Sequence, residues 1–249
     1  MKYSRLIISL AIFSTTCNVK AQSNESEFNW GLGVAVLSES EGYKGIGVET
    51  MVVPALSIQY GNFSLLGPQM SYKLGHWGDF EASILGKFRL DGYEADDDEF
   101  FNGMEDRDPS FDIGIDLEYD SSWGDFGLSH TADVSSTHEG YETSVSYSLP
   151  YRVSKGRIAP FISVSHLSED LVNYYYGVKQ SEVTTNRAYY QAESSLVWEI
   201  GTRSDWLFGT NHMIKADLSY RFLGSEIKDS PLIDKSGGIN LIIGYVYVF

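Results

Sequence analysis

Leu241-Ile242-Ile243-Gly244-Tyr245-Val246-Tyr247-Val248-Phe249 ends the sequence, and its side chains alternate to the last residue. Side chains of an extended strand point to opposite faces with a period of two, so Leu241, Ile243, Tyr245, Tyr247 and Phe249 share one face. A terminal aromatic, Phe249, behind Tyr245 and Tyr247 resembles the signal by which the outer-membrane barrel-assembly machinery recognises its clients.

The same alternation recurs upstream. In 141–153, Tyr141, Thr143, Val145, Tyr147, Leu149, Tyr151 and Val153 oppose Glu142, Ser144, Ser146, Ser148, Pro150 and Arg152. Segments 80–92, 111–119 and 214–222 repeat the pattern. Soluble strands average about five or six residues, whereas a tilted bilayer crossing takes about nine to eleven. Strand length therefore favours a membrane barrel, apolar outside and polar within. Trp77-Gly78-Asp79-Phe80 and Trp123-Gly124-Asp125-Phe126 are one repeated tetrapeptide between strands, with a looser copy at Asp205–Gly209. Trp beside tight turns suits an interfacial girdle. Long polar connections at 91–110, 135–141, 168–189 and 224–236 alternate with these turns, the arrangement of extracellular loops over short periplasmic turns.

Composition agrees. The 249 residues carry 18 Lys+Arg against 34 Asp+Glu, a net charge of -16, which argues against nucleic acid. No apolar run is long enough for a membrane helix, and a single Cys allows no internal disulfide. Lys2 and Arg5 before Leu6–Phe13, then Val19-Lys20-Ala21, read as a signal peptide over 1–21, with the barrel at 22–249. Cys17 raises a lipoprotein alternative, but Ser14-Thr15-Thr16-Cys17 lacks the aliphatic residue of a lipobox. The expectation is an all-β, up-and-down antiparallel outer-membrane barrel. Eleven segments are clear, at 28–38, 49–60, 63–74, 78–92, 110–120, 124–135, 141–153, 157–168, 190–203, 207–223 and 237–249. Both termini in the periplasm require an even number. Twelve is expected within a range of 10–14, the extra strand coming from a split of 39–60 or from Val172–Tyr176.

Several motifs, in order, resemble the MipA/OmpV family of outer-membrane proteins (MltA-interacting protein). They are Trp30-Gly31-Leu32-Gly33, Tyr43-Lys44-Gly45, Val53-Pro54-Ala55-Leu56, Asn102-Gly103-Met104-Glu105-Asp106-Arg107, Asn173-Tyr174-Tyr175-Tyr176-Gly177-Val178 and Asp229-Ser230-Pro231-Leu232. The resemblance covers about 28–249 and implies scaffolding or permeability roles. One member joins a lytic transglycosylase to a penicillin-binding protein, and others are linked to osmotic adaptation and solute passage. It implies no catalytic residues.

The residues themselves point to no catalysis, metal or cofactor. His76, His130, His138, His166 and His212 form no zinc motif. His130 faces lipid as an interfacial residue or, less simply, a general base; Asp133 with His138 could mimic a barrel-protease rim. The acidic run Asp96-Asp97-Asp98-Glu99 lacks calcium-loop spacing and reads as a solvated loop bridged to lipopolysaccharide. Together with Asn102, Met104 and Arg107 it makes 91–110 a candidate constriction. Lys87, Arg89, Asp112, Asp116, Glu118, Glu142, Arg152, Glu193, Glu199, Lys215, Asp217 and Arg221 are expected on lumen faces. They form either an ion-paired filler or a water path with weak cation preference. Two functions stay open: a non-enzymatic envelope scaffold for a murein hydrolase or synthase, and a small-solute channel. The short periplasmic turns Ser121–Gly124 and Ser154–Gly156 weigh against the scaffold. Lipid and lipopolysaccharide are the remaining expected partners.

Overall fold

The structure, a computed structural model, describes residues 28–40 and 42–249; the expected signal peptide and Gln22–Glu27 lie outside the described residues. Thirteen strand segments form one antiparallel sheet closed on itself. In chain order these are β1 (Phe28–Glu39), β2 (Glu49–Tyr60), β3 (Phe63–Leu66), β4 (Gln69–Trp77), β5 (Phe80–Arg89), β6 (Ser110–Ser121) and β7 (Gly124–Asp133). They continue as β8 (Tyr141–Ser148), β9 (Tyr151–Val153), β10 (Gly156–Leu167), β11 (Ser195–Phe208), β12 (His212–Phe222) and β13 (Gly237–Val248). β8 and β9 both pair with β10 and are halves of one stave interrupted at Leu149-Pro150, so the barrel has twelve staves. Two helices, α1 (Glu169–Tyr176) and α2 (Ser225–Lys228), lie in loops.

The twelfth stave is neither of the expected ones. Segment 63–74 folds back at Gly67-Pro68, where Gly67 has φ +56°, so it contributes β3 and most of β4. Val172–Tyr176 is helical, and the described residues of 40–48 make an isolated bridge from Tyr43 to Ile233 in place of a strand.

Alternation places Phe80, Ile84 and Phe88 outward and exposed, while Ser83, Lys87 and Arg89 point inward and are buried. The seam is β1 on β13, from Gly31↔Val248 to Glu39↔Asn240. A Cβ at Gly33 would lie 1.7 Å from the Tyr245 carbonyl oxygen, so the strands meet there only through glycine. Beyond the seam, Phe249 N–H bonds to Trp30 C=O at 2.9 Å, and the two rings stack at 4.2 Å and 12°. Trp30→Ala is expected to lower barrel stability by about 1 kcal/mol, the scale of an aromatic pair. A urea midpoint unchanged in reconstituted protein would remove this brace from the account.

Candidate functional site

The loops at the long-loop end pack together as a cap, and a cavity lies in the lumen beneath it. By the short-turn rule the capped end is extracellular. Four loops build the cap, because their apolar residues bury one another. Tyr43, Phe101, Met104, Leu171, Val172, Tyr175, Tyr176, Ile227 and Leu232 form one buried cluster. The Tyr43 ring stacks on Tyr176 at 5.6 Å and meets Tyr93 edge-on at 5.3 Å, and its hydroxyl donates to Tyr175 C=O at 3.1 Å. Ser230 Oγ donates to Tyr176 C=O at 2.6 Å, and Lys44 N–H to Leu232 C=O at 2.8 Å. Four of the six family-like motifs therefore converge here from separate loops.

Three buried charged residues pin the two longest loops together. Arg107 donates to both oxygens of Glu182 at 2.9 and 3.1 Å, to Tyr174 C=O at 2.6 Å and to Glu105 C=O at 2.7 Å. Glu182 also accepts the N–H groups of Glu105 and Lys179 at 3.0 and 2.8 Å. Burial pushes its carboxyl up, but these N–H groups and the Arg107 guanidinium outweigh burial and hold it below the usual carboxylate range. Arg187 donates to the carbonyls of Glu182, Phe100 and Asn102.

Of the expected constriction residues, Met104 and Arg107 enter the cap, with Phe101 beside them. Asp96 and Asn102 stay exposed. Asp98 is spent locally, its Oδ1 accepting Phe100 N–H at 2.8 Å, and Asp97 Oδ2 accepts Glu94 N–H at 2.8 Å.

Below the cap lies an ionic floor carried by β5, β6 and β8. The Arg89 side chain, 1% exposed, contacts Asp91 at 3.0 Å, Asp112 at 2.9 Å and Glu142 at 2.6 Å. Lys87 joins Glu142 at 2.9 Å. His138 Nδ1 accepts Gly140 N–H at 3.0 Å, which leaves Nε2–H to donate to Asp112 at 3.2 Å. Asp133 accepts the N–H groups of Ser135, Thr137, His138 and Glu139 and shapes the turn after β7. Ligand atoms of Asp112, Asp133 and His138 lie within 4.8 Å of one another, yet each is already committed to these bonds. The His138–Asp133 pair is thus a turn and a positioning contact. His130 faces outward, its Nδ1 2.8 Å from Thr143 Oγ1 and its ring against Tyr141.

Beneath the floor a cavity of about 520 Å³ runs to the short-turn rim at Asp125, Arg152 and Arg157. Asp116, Glu118, Glu199 and Arg221 line it, as do Lys87, Arg89 and Glu142 at its top. Asp217 pairs with Arg203 at 3.2 Å and Lys215 with Asp205. Glu193, expected on a lumen face, is not there: β11 begins at Ser195, so Glu193 sits exposed on the preceding loop. The carboxylate excess that a cation preference would need is absent from the cavity lining. Glu81, Asp116, Glu118, Asp120, Asp125, Glu142 and Glu199 face Lys73, Lys87, Arg89, Arg152, Arg157, Arg203 and Arg221, seven against seven.

A family model described as MltA-interacting protein MipA matches residues 31–249. The chain belongs to the MipA family. The MltA-interacting protein of Escherichia coli K12 is 25% identical to it over 90% of this chain and 91% of the relative. The putative outer membrane protein YiaT of the same strain is 25% identical over 92% and 94%. Outer membrane protein OmpV of Vibrio cholerae is 28% identical over 58% of this chain and 56% of its own. Among solved structures, the NanC porin aligns with TM-score 0.44 and 11% identity, covering 87% of this chain and 98% of that one. This MipA-family chain is an outer-membrane β-barrel.

Proposed function

We propose that the protein is a non-conducting envelope scaffold whose periplasmic rim engages a cell-wall enzyme, a murein hydrolase or synthase. The observation that supports this most is the two-tier closure of the lumen, an aromatic cap above a buried ionic floor. A relative named MltA-interacting protein supports the partner class. The turns are short, so the contact would fall on the rim itself, where Asp79, Asp125, Arg152 and Lys155 stand at strand ends. Crosslinking from Lys155 in native envelopes is expected to capture a murein enzyme. A rim that captures none, in protein shown to be folded, would overturn the scaffold reading.

A second reading, a gated solute channel, is favoured by the cavity beneath the floor. Planar-bilayer recording separates the two. The intact protein is expected to be silent, and deletion of 94–106 to give unitary steps if the cap is the gate. With seven charges of each sign along the cavity, any current is expected to be nearly unselective between cations and anions. A strong preference in a salt gradient would contradict that balance.

A further inference from the structure

The barrel wall is incomplete on one side. β2 spans Glu49–Tyr60, but β3 pairs only with Ser57–Tyr60. The β3–β4 hairpin turns at Gly67-Pro68, where Gly67 N–H bonds to Leu56 C=O and Phe88 N–H to Pro68 C=O, each at 2.9 Å. Above that tip, Thr50, Val52 and Pro54 pair with β1 on one side and, among the described residues, with no strand on the other. The Leu56 carbonyl points to the β3 side, so by alternation those of Pro54, Val52 and Thr50 do too. Pro54 fits this parity. It holds register with Val34 of β1, which a residue without an N–H does only when its nitrogen faces the open edge. Val52 stands eight residues above Tyr60, ~26 Å along the strand and ~20 Å along the membrane normal at a 40° tilt. The notch thus opens into the outer half of the apolar band.

An open edge in hydrocarbon leaves backbone groups unsatisfied, and Pro54 removes one donor from it. The same proline opposes addition of a strand from a second copy. The flanks are apolar, Val48 and Val52 being 68% and 66% exposed. Behind the edge the inner face carries an apolar patch, with Glu39 and Asn240 buried just above it. Met51, Val53, Leu90 and Ile242 pack around buried Leu37, in contrast to the charged cavity. Leu90 is the first residue after β5, where the missing wall would have continued.

We infer that this notch is a lateral portal that takes a single alkyl chain of an outer-leaflet amphiphile, with Leu90 as the plug the chain displaces. The cap closes the direct route from outside, and the apolar lining around Leu37 offers a methylene chain what the charged cavity does not.

The test is photolabelling of the protein reconstituted in phosphatidylcholine vesicles that contain a fatty acid with a terminal diazirine. Adducts are expected on inner-face Met51 and Val53 as well as outward Val52. Several-fold more inner-face labelling is expected in Leu90→Ala, and less in Leu90→Phe, which keeps the plug should the smaller residue prevent folding. Adducts confined to outward side chains, with Val52 and Ile115 labelled alike and Met51 bare in all forms, would overturn the portal. So would an intermolecular disulfide formed by Val52→Cys in a Cys17→Ser background, because a second copy would then cover the edge.

Discussion

Arg107→Ala is expected to release the cap while leaving the barrel folded. The substitution removes a guanidinium that holds Glu182 and two backbone carbonyls from opposite loops. Deleting one partner of a buried ion pair costs about 3–5 kcal/mol, since the other charge stays desolvated. The penalty falls on the loops, because the staves make no use of Arg107. Protease should then cut within 90–109 and 168–194 far faster than in the parent, with the heat-modifiable barrel band retained. Arg107→Lys should recover only part of the protection, as an ammonium cannot span both carboxylate oxygens. Cap loops that resist protease as well as the parent's would show that the apolar cluster holds them unaided.

Acid should do reversibly what this substitution does permanently. Glu182 is held below its ordinary value near 4.5, so its ionised form favours the closed cap. That contribution is complete above the ordinary glutamate value near 4.5, declines as pH falls below it, and is gone once pH has fallen through the lowered value. Glu182→Gln should abolish this acid dependence of loop cleavage while weakening the cap at neutral pH.

How legible this arrangement is in the sequence depends on whether the residues carry a period. The staves do: Phe80 to Phe88 and Leu241 to Phe249 alternate because one face meets lipid and the other the lumen. The cap carries none. Tyr43, Phe101, Tyr175 and Leu232 lie in four loops, and each meets at least one partner 50 or more residues distant. The motifs that resemble the family mark these residues without revealing that they meet. β3 is hidden for another reason, since alternation continues across the Gly67-Pro68 turn and hairpin arms of four residues look like one strand. α1 has a readable start in Ser168, whose Oγ accepts Leu171 N–H, followed by Glu169 and Asp170 in the first turn. The aromatic run Tyr174-Tyr175-Tyr176 reads as strand by propensity, and packing into the cap overrides it.

Arg89→Ala should be the most damaging single change, and its failure would differ in kind from that of Arg107. Arg89 joins carboxylates on β5's exit, β6 and β8, so it ties three parts of the wall as well as the floor. Its removal leaves Asp91, Asp112 and Glu142 buried together, with Lys87 as the cation in direct contact with Glu142. About 3–5 kcal/mol for the broken pair is a lower bound, because like charges are then also forced together. The expected result is loss of the heat-modifiable band, or unfolding at much lower urea. Arg89→Met combined with Lys87→Met, Asp91→Asn, Asp112→Asn and Glu142→Gln should recover folding, since a floor without charges needs no counter-charge. That rescued protein separates the two closures: with the cap intact it should remain silent in a bilayer, and it should conduct only when Arg107→Ala is added. Conduction from the neutral floor alone would make the ionic tier the barrier and reduce the cap to a lid over a lumen already closed.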